Sequence, residues 1–300
     1  MTLPGVVALA GTVSGGPIRL DMSAVDPFSS GYPVSERGAQ LCGPGAAEDG
    51  TVLAVAIVTY GRRPGRSTWG HSSLRFISCE AGLLRDVEYE YYRMDASIER
   101  WLRALYGREA WTGDEAYLRA QHGQLVVVRN ERPADGGFFA AELNKNREII
   151  EAWMPWSDTI RTQLYASLEE RYASQLRSLR GLQDLDGYRY EAMGTNCTLH
   201  VREALAYATG GTERLVGSVF PMRNLTWLEG QEGVRFVMHP SPDVLRRELD
   251  GKDLPRAVSE LPRGILRRRL SPRQEAVVAR SLPGATSVII EWLLESEEAE

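Results

Sequence analysis

The chain has 300 residues, 43% of them hydrophobic and 25% charged, with a net charge of -5. That is an ordinary globular balance with enough length for one large domain or two smaller ones. It offers no global basic field for nucleic acid, no DNA- or RNA-binding motif and no apolar run of the ~18 residues a membrane span needs.

Residues 1–50 are rich in Gly, Pro and Ser and read as an irregular N-terminal arm. The opening 1-MTLPGVVALAGTVSGG-16 has no Lys or Arg ahead of its apolar part, so it is a poor export signal. The expectation is a cytoplasmic protein, or one exported by a route that needs no such signal. Next, 51-TVLAVAIVTYG-61 is an apolar, β-branched run that predicts a buried strand. After a basic turn at 62–68, a second strand begins near His71, in 69-WGHSSLRFIS-78. The alternating 86-DVEYEYYRM-94 predicts a third, and 123-GQLVVVRN-130 a fourth. Between these two, 97-SIERWLRALYG-107 has a helical period with Ser97 as its cap.

From about 138 to 180 the pattern is helical, interrupted at Pro155 and restarted at 157-SD-158. Ile160, Leu164, Leu168, Tyr172, Leu176 and Leu179 form an amphipathic stripe along the second half. A further helix is predicted over about 197–208, closed by Gly210 and Gly211. Residues 212–300 are expected to be a C-terminal extension on a core spanning 51–211. That extension carries one strand, 233-GVRFVMHP-240, short helices near 242–249 and 272–282, and an acidic tail. Its arginine-rich stretch 246–273 reads either as a solvated helical face or as a contact with an anionic membrane surface.

Cys42, Cys79 and Cys197 are widely spaced, and this spacing predicts neither a disulfide framework nor a zinc site. No metal-binding or nucleotide-binding motif is present, so no metal or cofactor is expected. Cys197 draws attention in 188-YRYEAMGTNCTLHVREAL-205. With Asn196 as N-cap, Cys197 is the first helical residue, where free N–H groups and the helix dipole favour a thiolate. The same N–H groups are suited to hold an oxyanion. The competing reading is a packed, inert cysteine.

Four histidines are candidate bases. His200 lies three residues from Cys197 on the same helix, His122 precedes a strand, and His239 ends one. His71 sits at a loop-to-strand junction among Gly70, Ser72 and Ser73, a small, polar setting in which glycine permits close backbone approach.

The paired segments 69-WGHSSLRF-76 and 188-YRYEAMGTNCTLHVREAL-205 resemble the two signatures of the Lnb N-terminal periplasmic domain family. Gly70, His71, Leu74 and Arg75 match its first block, Tyr89 and Tyr91 its following strand, and 144–168 its helical stretch. Tyr188, Tyr190, Asn196, Cys197, Arg202 and Leu205 match its second block. The likeness covers about 51–210; it departs at Glu203, where Asp is usual, and at Gly194 and Thr195. The family is similar to circularly permuted papain-like hydrolases, including NlpC-type peptidases and lecithin:retinol acyltransferase relatives.

The resemblance implies an α+β permuted papain-like fold, an antiparallel sheet packed against helices with a long helical insert, and a periplasmic location. It also implies a catalytic Cys197 with His71 as general base, the histidine strand preceding the cysteine helix. Such sites use a third polar group to orient the imidazole, and Glu88 and Glu90 are the candidates, sharing one strand face with Tyr92. Solvation of that face is the alternative. Tyr190 is a candidate oxyanion donor, beside Asn196, Gly70 and Ser72. The expected activity is hydrolysis or acyl transfer at an amide, ester or thioester bond of a peptide, peptidoglycan or acyl-lipid substrate. The rival expectation is an inactive binding or scaffold module of the same fold.

Overall fold

The structure, a computed structural model, describes residues 7–8, 18–20, 40–42, 45, 47–61, 70–100, 115–130, 147–185, 189–191, 196–208, 221–228, 230–239, 276–278 and 292–294. Among the described residues, nine strands form one sheet: β1 (Val7–Ala8), β2 (Ile18–Leu20), β3 (Val52–Tyr60), β4 (His71–Glu80), β5 (Leu83–Arg93), β6 (Leu125–Asn130), β7 (Ile149–Trp153), β8 (Arg235–His239) and β9 (Ala276–Val278). Their order is β1-β2-β9-β8-β7-β3-β4-β5-β6. The six strands from β8 to β6 pair antiparallel throughout. Beyond β8, β9 joins parallel, β2 runs parallel to β9, and β1 closes that end antiparallel. Helices among the described residues include α1 (Glu115–Ala120), α2 (Asp158–Arg180), α3 (Leu199–Ala208) and α4 (Pro221–Leu228). The architecture is mixed α+β.

The sheet is sandwiched. Val55, Ile57, Leu74, Phe76, Tyr89 and Tyr91 face the helices, where they pack on Leu164, Leu168 and Tyr172 of α2, Val201, Ala204 and Leu205 of α3, and Leu225 and Leu228 of α4. The opposite face carries Ala56, Val58, Tyr60 and Trp153 and is covered by Leu41, Cys42 and Trp292. Burial on both faces explains why β3 is an unbroken apolar run rather than an alternating one.

Burying the second face encloses a polar stripe. Arg75, 0% exposed, is bonded to Asp86 through Nε (2.9 Å) and Nη2 (2.6 Å) and to Glu151 through Nη1 (2.6 Å). Trp153 Nε1 donates to Glu151 at 3.0 Å, and His239 lies 3.5 Å from the same carboxylate. Such a group is retained only when fully paired, because a lone buried charge costs several kcal/mol. Burial alone would raise the Glu151 carboxyl; Arg75 and His239 outweigh it and hold it at about 2.

Several expectations are corrected. Residues 149–153 are not helix but β7, in the middle of the sheet between β3 and β8. Within the helix expected at 272–282, residues 276–278 form β9. The helix α4 lies where none was anticipated. The helix at 96–100 is capped by Asp95, whose Oδ1 accepts from the N–H groups of Ser97 (2.7 Å) and Ile98 (2.9 Å), rather than by Ser97. Cys42 and Cys79 are joined in a disulfide, contrary to the sequence reading. The chain returns at 40–51 to pair with the far end of β4, with Gly50 N donating to Cys79 O (2.8 Å) and Cys79 N to Thr51 O (2.9 Å). That return brings the two cysteines together, and spacing alone does not reveal it. The helix from 158, with Ser157 at its N-cap position, is as expected. The basic turn 62–68, most of the 97–107 helix, the 138–146 part of the helical stretch, the helix at 242–249, the arginine-rich stretch 246–273 and the tail beyond 294 lie outside the described residues.

Candidate functional site

His71 is the first residue of β4, and its placement follows from Gly70. Gly70 has φ +86, and a Cβ there would stand 2.5 Å from the Tyr60 carbonyl oxygen. Only glycine lets the chain enter the strand so close to β3. Tyr60 is the register partner of His71, and their rings lie 5.5 Å apart. On the other side β5 presents Glu90 and Tyr92. His71 Nε2 lies 3.1 Å from Glu90 Oε2, and the imidazole stacks on Tyr92 with centroids 4.8 Å apart. Tyr92 Oη donates to the same Glu90 oxygen.

Glu88 and Glu90 are both 0% exposed, so this face of β5 is not solvated. The two divide their roles. Glu90 holds the histidine, while Glu88 Oε1 accepts from the hydroxyls of Tyr60 and Ser73. Burial first, and the Glu90 charge second, raise the Glu88 carboxyl well above the usual range. Two carboxylates two residues apart on one buried face do not both ionise readily. Glu88 thus belongs to the layer behind the imidazole, and no contact with His71 places it in the reacting group.

Cys197 is buried at the entrance to α3. Asn196 Oδ1 accepts from Thr198 N–H (2.9 Å) and Thr198 Oγ1 (2.8 Å), and Leu199 N donates to Asn196 O at 3.0 Å. Asn196 is the turn-maker expected of it, but the helix proper begins at Leu199, so Cys197 stands in the turn before α3 rather than as its first helical residue. Burial pushes the Cys197 thiol up. The His71 charge, a hydrogen bond with the His71 side chain, the Ser72 backbone N–H and the Arg147 charge together outweigh burial, and the net shift is downward. Ser72 contributes its main chain; its buried Oγ has no hydrogen-bond partner among the described residues. Tyr190 is half-buried, and burial and then the Cys197 charge push its phenol up to about 12, a protonated donor near the sulfur.

The other histidines fall elsewhere. His200, 1% exposed, packs on Tyr91 with centroids 4.7 Å apart, and burial, His71 and Arg171 press it well below the usual imidazole value. His122 faces Glu99 at 3.5 Å, and His239 belongs to the Arg75 network. Tyr188, Gly194 and Thr195 lie outside the described residues. Sequence reasoning gave no role to Tyr60, the strand partner of His71, or to Arg147, which bonds the Gly61 carbonyl just past it; both placements are visible only once the sheet order is known.

No helix among the described residues is long and apolar enough to cross a membrane, and no cluster of His, Cys, Asp and Glu among them has the arrangement of a metal site. A cavity of about 560 Å³ lies between α2 and β5–β6, lined by Tyr91, Leu125, Val127, Arg171 and Gln175 among others; neither Cys197 nor His71 borders it. Arg171 ties its wall to α3 through Glu203 at 2.9 Å. Comparison of the chain with protein families, with curated proteins and with solved structures gives no match.

Proposed function

We propose that the chain is a cysteine-dependent hydrolase or acyltransferase of permuted papain-like type. The observation that carries this reading is the imidazole of His71, held by the fully buried Glu90 carboxylate, beside a buried Cys197 whose thiol it lowers. This is the arrangement of an activated nucleophile, its base and the group that fixes the base.

In this reading His71 takes the Cys197 proton and becomes imidazolium, stabilised by Glu90. The thiolate attacks a carbonyl carbon, forming the C–S bond as the carbonyl π pair moves to oxygen. When the tetrahedral adduct collapses, the bond to the leaving nitrogen, oxygen or sulfur breaks, and His71 gives that atom its proton. Water or another acceptor then attacks the thioester, His71 removes its proton, and Cys197 leaves as thiolate. The Tyr190 phenol is a candidate donor to the oxyanion. The bond is an amide, ester or thioester, with a cell-wall peptide or an acyl lipid as substrate class. The Cys42–Cys79 disulfide supports maturation in an oxidising compartment, where such substrates are found.

The test is trapping on the full chain. Peptidoglycan fragments and phospholipid vesicles are incubated separately with the protein, and intact mass is read for an acyl adduct that maps to Cys197. The proposal expects an adduct with one class and none in Cys197→Ala. Turnover by Cys197→Ala equal to the parent contradicts it.

A further inference from the structure

His200, in the first turn of α3, is 1% exposed, and neither of its ring nitrogens has a hydrogen-bond partner among the described residues. A neutral imidazole carries one N–H donor and one acceptor lone pair, and burying both unmet is costly. Buried polar groups are nearly always paired, so two orphaned atoms on one side chain need a cause. Packing does not supply it, because an apolar ring of similar size would fill the space against Tyr91 without that cost. The Tyr91 ring lies 4.7 Å away, centroid to centroid, at a tilt of 52°, and its hydroxyl accepts from Arg171. Arg171 in turn bonds Glu203 at 2.9 Å. The charges on this side are matched between themselves, and burial, His71 and Arg171 keep the His200 ring neutral.

The ring stands beside the nucleophile by chain geometry. Leu199 N donates to Asn196 O at 3.0 Å and Arg202 N to Thr198 O at 2.9 Å, so the turn at 196–199 leads directly into the winding of α3. Cys197 and His200, both buried, are therefore one turn apart on the same side of the chain. His71 reaches the site from β4 and is held by Glu90 at 3.1 Å. His200 has no such carboxylate to orient it or to stabilise its charged form, so it is not a second base. It is a neutral donor and acceptor, one turn from the sulfur.

We propose that His200 is a substrate-binding residue and that the substrate it receives is a peptide: its ring nitrogens pair with an amide next to the bond that Cys197 attacks. The proposal rests on the cysteine-nucleophile reading and chooses among its substrate classes. A neutral ring offers no charge to a carboxylate or a phosphate. An amide brings both an acceptor and a donor, so it meets both nitrogens. An ester or thioester brings acceptors only, and a hydrocarbon chain brings neither, leaving buried polar atoms unpaired in the complex. A site built to hydrogen-bond its substrate rejects analogues that lack the partner.

The experiment is covalent labelling of Cys197 on the full chain with two matched probes. One is chloroacetyl-alanyl-alanine methylamide; the other has ester oxygens in place of the two N–H groups beyond the chloroacetamide. Each rate is divided by the rate with N-acetylcysteine, and thermal melts confirm folding. The parent is expected to prefer the amide probe about tenfold, His200→Phe to react with both alike, and His200→Asn, which keeps a donor and an acceptor, to recover part of the preference. A merely structural His200 would move the melting temperature and not this ratio. A parent that does not prefer the amide probe overturns the proposal, as does a folded His200→Phe protein that keeps the parental preference; both leave the nucleophile standing. The pH dependence of Cys197 modification by methyl methanethiosulfonate separates the two readings, because a parent with the midpoint of an ordinary thiol overturns the nucleophile and this proposal with it. If His200→Phe does not fold, ring-¹⁵N NMR of the histidine-labelled parent decides: His200 nitrogens that shift when the amide probe is bound support the contact, and nitrogens that do not move overturn it.

Discussion

Glu90 on β5 holds Nε2 of His71 on β4 at 3.1 Å, with the carboxylate fully buried and the imidazole stacked on Tyr92. The contact fixes the orientation of the ring. Replacing the carboxylate with an amide keeps the shape and removes the charge that stabilises the imidazolium. Glu90→Gln is therefore expected to lower kcat by ~10²–10⁴-fold on whichever substrate the trapping experiment identifies. Glu88→Gln, which mimics a carboxyl already pushed toward its neutral form, is expected to cost much less. Steady-state kinetics of the two variants check the division of roles; equal losses contradict it.

Gly70 is the second point at which backbone geometry sets the site. With φ +86 and a Cβ position 2.5 Å from a backbone oxygen that cannot swing aside, Gly70→Ala forces β3 and β4 apart at His71. The expected cost is about 1–3 kcal/mol of stability. Activity is expected to fall further than that loss explains, because the imidazole moves with the strand. Chemical denaturation and kinetics of the same preparation test this.

The Cys42–Cys79 bridge closes a loop of sequence separation 37. Chain-entropy arguments give it about 4 kcal/mol. The double variant Cys42→Ala/Cys79→Ala is expected to melt several degrees lower while Cys197 alkylation is unchanged, since the bridge lies at the other end of β4 from His71. Thiol titration of the parent in denaturant is expected to find one free cysteine per chain; three contradicts the pairing.

The Arg75 network makes a prediction about acid. Glu151 is held at about 2 in the fold against an ordinary 4.5, so its contribution is fully present above the ordinary value. It is lost as pH falls through the window between the two. The unfolding free energy is expected to fall across that window by an amount on the order of 3 kcal/mol, read from denaturation curves at each pH. Arg75→Met, which leaves Asp86 and Glu151 without their cation, is expected to cost about 3–5 kcal/mol at neutral pH and to reduce that acid sensitivity.

Much of the sheet was legible because its strands are long and carry strong local signals. The apolar run of β3 and the alternation of β5 place their faces without further help, including the shared face of Glu88, Glu90 and Tyr92. Two short strands, β7 and β9, were not legible, although β8, of the same length as β7, was. Ile149–Trp153 sits among helix-favouring residues and is a strand only because β3 and β8 bond to it on both sides; Ala276–Val278 is likewise fixed by β8 and β2. Local pattern carries little weight in so few residues, and non-local pairing decides. The meeting of His71 and Cys197 was accessible only through the likeness of two segments. The contact of Arg147 with Gly61 was not accessible at all, because it depends on β7 lying next to β3.

The most direct measurement is the ultraviolet absorbance of the thiolate as a function of pH, taken as the difference between the parent and Cys197→Ser and repeated in His71→Gln. The account predicts a thiolate that forms at a lower pH than in free cysteine in the parent and an upward shift when the imidazole is lost. A thiolate that appears only in the range of free cysteine, at the same pH with and without His71, would contradict it.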